Sequence, residues 1–161
     1  MKIQNVGVMS PGDMGQAVAQ QLKQKGFNVF TALDKRSART KTLAQQAGVT
    51  DVGSLDKLTQ QCDLILSVMA PAGALDFANE LAEVLNANRR KLLFVECNAI
   101  APGKMQEIYK KITGAGSRCV DAGIIGPPPR GKANARGPHM PAQWALPTKP
   151  SKNAVQSCMA F

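Results

Sequence analysis

Closely spaced cysteines, long apolar runs and, over the last 35 residues, acidic side chains are what this sequence lacks, and it has a single histidine. Cys62, Cys97, Cys119 and Cys158 are too scattered for a zinc site and read as reduced, partly buried thiols. A nucleophilic role for Cys97 has no nearby histidine to support it. The single histidine, His139, lies among prolines without a carboxylate beside it, which argues against a general base. No apolar stretch exceeds a strand or one buried helix, and the N-terminus runs straight into a strand pattern. Neither a membrane span nor a secretory signal is therefore expected, and the cytoplasm is the default location.

The formal charge of +9 comes from 20 basic and 11 acidic residues, but residues 127–161 hold five of the basic ones and no acid. The excess over residues 1–126 is only +4. That near-ordinary balance argues against a global nucleic-acid or membrane surface. Arg130, Lys132, Arg136, Lys149 and Lys152, with Trp144 and Phe161 for stacking, would give at most a salt-sensitive grip without sequence choice. A solvated basic end is the plainer reading.

With 161 residues, 44% of them hydrophobic, the chain is sized for one globular domain with a real core. Apolar spacing alternates between strand-like and helix-like runs, as in parallel strands joined by crossover helices. Strands are expected over 3–9, 29–33, 49–52, 64–69, 91–96 and 118–121. Between them, helical spacing links Met14, Ala17, Val18 and Leu22, then 38–47, then a segment capped by Ser54 and running through Gln61. It continues with Leu75, Ala78, Leu81, Ala82 and Leu85, and with Met105, Ile108 and Ile112 behind Pro102. This is the pattern of a Rossmann-type, doubly wound α/β fold with a mainly parallel sheet. Seven of the ten prolines fall after Gly126. Residues 1–126 are accordingly read as the folded domain and 127–161 as a Pro-rich, basic, irregular tail without internal repeats.

Ser10-Pro11-Gly12-Asp13-Met14-Gly15 occupies the position of the dinucleotide fingerprint between first strand and first helix, with serine in place of the first glycine. Gly12 would let backbone approach a pyrophosphate, Gly15 would let the helix pack tightly, and the helix N-terminus would offer its N–H groups to the anion. An ordinary βα turn is the competing reading. Asp34, 19 residues beyond Gly15 at the end of the second strand, stands where a ribose contact belongs. Lys35, Arg36, Ser37 and Arg39 follow, a cluster suited to a 2′-phosphate and hence to NADP rather than NAD, unless it is simply a solvated charge run.

Val6 to Gly15, Val68-Met69-Ala70-Pro71, Glu96 to Pro102 and Asp121 to Pro129 together resemble the β-hydroxyacid dehydrogenase superfamily, which includes 3-hydroxyisobutyrate and 6-phosphogluconate dehydrogenases. The likeness is strongest to NAD(P)-dependent oxidoreductases with a C-terminal DUF1932 domain, and it covers about residues 3–130. The resemblance implies a pyrophosphate held by Ser10 to Gly15 and a 2′-phosphate met by Arg36 and Ser37. It places Met69, Ala70 and Pro71 along the cofactor cleft, Asn98 and Ala99 beside the nicotinamide ribose, and Gly123, Ile124, Ile125 and Gly126 in the substrate loop. The implied substrate is a small hydroxy acid or a related carbonyl or imine. Ile124 and Ile125 stand where many relatives carry a polar residue.

The same resemblance implies a catalytic lysine in a GxxxKxxxN pattern on a helix, and an all-helical second domain that closes the cleft and commonly dimerises. Lys149 and Asn153 satisfy KxxxN, but Ala145 replaces the glycine and Pro147 and Pro150 oppose a helix, so no catalytic residue is assigned. The second domain is not expected within these 161 residues. A truncated or frame-shifted product, dinucleotide-binding but without catalysis, is the alternative expectation, with apolar surface around Ile124 and Ile125 favouring aggregation or a non-native dimer.

Overall fold

The structure, a computed structural model, describes residues 2–125 and 143–145. In chain order it comprises β1 (Asn5–Met9), α1 (Asp13–Gln24), β2 (Asn28–Thr31), α2 (Ala38–Gln46), β3 (Thr50–Asp51), α3 (Leu55–Gln61) and β4 (Leu64–Ser67). After a 3-10 turn over Pro71–Gly73 come α4 (Ala74–Asn88), β5 (Leu93–Glu96), α5 (Pro102–Gly114), β6 (Arg118–Asp121), β7 (Gly123–Ile125) and β8 (Gln143–Ala145). The first six strands form one sheet in the order β3-β2-β1-β4-β5-β6, and every neighbouring pair is parallel. This is the Rossmann arrangement, with each expected strand and helix in its place.

Both faces of the sheet are covered, which is why the central strands read as continuous apolar runs. Val6 and Val8, Leu64 and Leu66, and Leu93 and Val95 pack on one side with Val18, Ala19 and Leu22 of α1 and Ala44 of α2. Their neighbours Ile65 and Phe94 turn to the other side and meet Leu58 of α3, Phe77, Leu81 and Leu85 of α4, and Ile108 and Ile112 of α5. Strand alternation thus divides one sequence run between two cores. Gly7 leaves little room for a side chain: a Cβ there would sit 3.1 Å from Ile65 of β4, 3.3 Å from the Cys62 sulfur and 3.4 Å from Leu58 of α3.

Helix starts follow local chemistry. Ser37 and Ser54 each accept a hydrogen bond from a backbone N–H of the first turn of α2 and α3, and Pro102 opens α5 where its missing N–H has no helical partner to lose. β3 is shorter than the expected 49–52 because it is an edge strand that pairs with β2 alone. Within the segment read as irregular, Gln143–Ala145 forms a short antiparallel pair with β7, Trp144 opposite Ile124. Three residues between Pro141 and Pro147 are enough for such a pairing. The remainder of that segment, with His139, Lys149 and Asn153, lies outside the described residues, as do Gly126 and the side chain of Ile125.

Candidate functional site

The strand order reverses between β1 and β4, whose C-terminal ends, Met9 and Ser67, are paired in register. The crevice outside such a switch point is where open α/β sheets take their ligands. Chain segments leaving both strands stay joined: Ser10 N donates to Val68 O at 3.0 Å, and Val68 N donates to Met9 O.

From Ser10 the chain turns sharply, Gly12 N donating to Ser10 O at 2.7 Å, and α1 begins at Asp13. Gly15 is buried, and a Cβ there would drive into the carbonyl oxygen of Ser10. Its glycine is therefore a packing requirement of the loop itself. Gly12 differs: its backbone is extended, and a Cβ would meet nothing within 4 Å. Neither packing nor conformation calls for glycine at 12, so what its missing side chain keeps open is the space in front of the helix. No side chain caps α1, and the first-turn N–H groups of Asp13, Met14 and Gly15 have no partner among the described residues. Pro11 is buried beneath this loop, and Met14 packs against the core.

Asp13 places a carboxylate in that first turn, but both its oxygens are held by Arg39 Nη2, at 2.9 and 3.0 Å. The pair is exposed on both sides and neutralises the acid beside the helix N-terminus.

A pocket of about 120 Å³ opens next to the loop, lined by Met9, Ala32, Asp34, Lys35, Arg36, Leu55 and Glu80. It brings Asp34 and Arg36 together at the end of β2, as the sequence implied. The rest of the basic cluster is engaged elsewhere. Lys35 donates to Glu80 on α4 at 2.8 Å, a bond that raises the lysine pKa, and Arg39 is held by Asp13. Ser37 is the N-cap of α2, accepting from Thr40 N at 3.3 Å, and is not among the pocket residues. Arg36 has neither a side-chain hydrogen bond nor an ion pair among the described residues, and it is half-buried at the pocket.

At the ends of β4 and β5, Asn98 is buried and fully employed. Its Oδ1 accepts from Met69 N at 2.7 Å, and its Nδ2 donates to Ser67 Oγ at 3.1 Å and to Glu96 Oε1. Asn98 thus shapes the cleft floor by fixing Met69, while Ala70 and Pro71 beyond it are exposed. Glu96 is completely buried; its Oε1 also accepts from Asn98 N at 3.0 Å, whereas Oε2 has no partner among the described residues. Burial raises the Glu96 pKa above 4.5; bonds from Ser67 and Asn98 oppose the rise, and the adjacent Asp121 adds to it. Burial also pushes the Cys97 thiol pKa well up, which removes it as a nucleophile.

Beyond β6, Ala122 N donates to Glu96 O at 2.8 Å and Ile124 N to Cys97 O at 3.3 Å, so the expected substrate loop starts beside Asn98. Ile124 is half-buried against the core rather than standing free. Tyr109, on α5, is the exposed large hydrophobic side chain among the described residues.

Reading the sequence singled out the loop, Asp34, Arg36 and Asn98, but missed Met9, Leu55, Ser67, Glu80 and Glu96. Ser67 and Glu96 could have been noticed as polar residues closing otherwise apolar strands. Glu80 gives no such signal, because one acid on a helix face looks like any solvated acid.

These residues suit a dinucleotide: an open cradle at Gly12, uncapped N–H groups for a phosphate, and an acid with an unpaired guanidinium at the adjoining pocket. L-threonate dehydrogenase of Cupriavidus necator is 29% identical over 126 residues, covering 76% of this chain and 41% of that protein. A solved conserved protein of unknown function, described as structurally similar to 3-hydroxyacid dehydrogenases, is 28% identical with a TM-score of 0.67, over 76% of this chain and 44% of its own. An imine reductase from Myxococcus stipitatus, solved with NAD+, shares the fold at 20% identity and a TM-score of 0.62, over 80% of this chain and 42% of its own. The chain spans less than half the length of these relatives. The model of the NAD binding domain of 6-phosphogluconate dehydrogenase matches residues 5–140, and the chain belongs to that family.

Proposed function

We propose that this chain is the cofactor-binding part of an oxidoreductase of the β-hydroxyacid dehydrogenase type, taking NADP(H) in preference to NAD(H). Its substrate is a small hydroxy acid or a related carbonyl or imine. The observation that carries this reading is the convergence, at the β1–β4 switch point, of the open cradle over Gly12 with the pocket that holds Asp34 and Arg36. The bound dinucleotide supplies or accepts the hydride. This chain's residues bind and orient: the first turn of α1 receives the pyrophosphate, and Asp34 accepts from a ribose hydroxyl. Arg36, without a partner among the described residues, faces a 2′-phosphate. Asn98 fixes Met69 along the floor, and the backbone from Gly123 leads to the substrate side.

A second reading, dinucleotide binding without catalysis, is favoured by one observation. The titratable groups at the ends of β4 and β5 are Glu96 and Cys97, both buried inside the protein, so neither reaches into the cleft to exchange a proton with a substrate.

Calorimetric titration and thermal shift with NADPH and NADH test the proposal, because a ligand specific to the folded state raises the melting temperature. Saturable binding with a shift for NADPH exceeding that for NADH is the expected result. A folded protein that binds neither overturns it.

A further inference from the structure

One member of the charge ring around the Asp34 pocket comes from outside the nucleotide-binding loops. Glu80 lies on α4, 45 residues from Lys35, and its Oε1 accepts from Lys35 Nζ at 2.8 Å. Both side chains line the pocket alongside Asp34 and Arg36. The four charges therefore cancel: two acids stand against two cations, and one of the cations is already bound.

We infer that Glu80 is a specificity-determining residue, which by holding Lys35 withholds one of two adjacent cations from the dinucleotide and sets the balance between a 2′-phosphate and a bare 2′-hydroxyl. The inference rests on the proposed dinucleotide site. A 2′-phosphate brings nearly two negative charges into the pocket, whereas a hydroxyl brings none. With Glu80 in place, the phosphate meets Arg36 together with two carboxylates, and Lys35 is shared between Glu80 and the ligand. Without the Glu80 charge, Lys35 is released and the pocket carries one net positive charge. A bare hydroxyl, hydrogen-bonded by Asp34, is nearly indifferent to that change.

The geometry makes Glu80 a clean site to alter. The Lys35 and Glu80 side chains are 74% and 43% exposed, and an ion pair so open to water adds little to folding stability. Glu80→Gln keeps the shape and an acceptor oxygen while removing the charge.

The test is calorimetric titration of the wild-type chain, E80Q, K35M and the E80Q/K35M double variant with NADPH and with NADH, at low and at moderate salt. E80Q is expected to bind NADPH about three- to fivefold more tightly, the size of effect an exposed charge pair produces. Its affinity for NADH should stay within about twofold of wild type. The gain should shrink as salt rises and vanish in the double variant, because Lys35 is its source. Equal changes for both cofactors, or no change for NADPH, overturn the inference and leave the site standing. A folded wild-type chain that binds neither cofactor overturns both.

Discussion

Asn98 Oδ1 accepts the backbone N–H of Met69 at 2.7 Å, so the end of β5 holds the end of β4 across the floor of the cleft. The same amide donates to Ser67 Oγ and to Glu96 Oε1, which ties three residues from two adjacent strands to one side chain. Every hydrogen-bonding atom of the Asn98 amide is thus taken up within the protein.

Asn98→Ala should destabilise the fold by about 2 kcal/mol, because it takes the acceptor from the part-buried Met69 N–H and the side-chain donor from the buried Glu96 carboxyl. Urea unfolding would show a lower midpoint with an unchanged slope. A midpoint equal to wild type would mean that water replaces the amide and that Asn98 is not the clasp described above.

Glu96 gives stability a pH dependence with a definite sign. Its folded pKa lies above the usual 4.5, so the folded state keeps its proton to higher pH than the unfolded chain does. Its stabilising contribution is complete below 4.5 and fades as pH climbs through the raised value. Asp121 is shifted in the same direction by burial, so the comparison must be between variants. Glu96→Gln keeps an acceptor for Asn98 and removes the titration. Chemical denaturation from pH 4 upward should show the wild-type chain losing stability relative to E96Q as pH rises. Parallel curves would mean that Glu96 titrates normally when folded.

The fold was legible because burial on both faces of a parallel sheet writes itself as apolar runs, as at Leu64–Ser67 and Leu93–Glu96, with helical spacing between them. Half of the candidate site was legible for a different reason. Gly12, Gly15, Asp34 and Arg36 sit at fixed offsets from a strand end, and local geometry sets those offsets. The Lys35–Glu80 and Arg39–Asp13 pairs were not legible, since they join residues 45 and 26 positions apart and depend on how helices settle against the sheet. The basic cluster therefore looked like four groups awaiting one phosphate, when two of them already had carboxylate partners. Asn98 stands out in the sequence as a polar residue just beyond β5, but its chain of bonds to Met69, Ser67 and Glu96 needs the register of β4 against β5.

The two fingerprint glycines should separate stability from binding. Gly15→Ala forces a Cβ into the Ser10 carbonyl, a clash that backbone must absorb, at a cost of about 1–3 kcal/mol. Gly12→Ala meets no protein atom and has no positive φ to strain, so stability should move by no more than about 0.5 kcal/mol. Dinucleotide affinity should nonetheless fall, because the methyl group occupies the open cradle. Thermal unfolding and calorimetry on the two variants would check this. An unaltered affinity in G12A would show that the phosphate does not pass over that residue.

Arg36→Ala should lower NADPH affinity by about tenfold, since a guanidinium on a phosphate contributes on the order of 1.5 kcal/mol as a charge-assisted bond. NADH affinity should change little, because in the proposed site Asp34 and the α1 N-terminus would serve both cofactors alike. Arg36 has no ion-pair partner to strand among the described residues, so folding stability should stay close to wild type. The salt dependence of NADPH binding should weaken in R36A, as one charge contact fewer is screened. Titrations with both cofactors at two salt concentrations read all of this at once. If NADPH and NADH lost affinity by the same factor, Arg36 would be acting on the shared part of the dinucleotide, and cofactor choice would have to come from the Lys35–Glu80 side of the pocket.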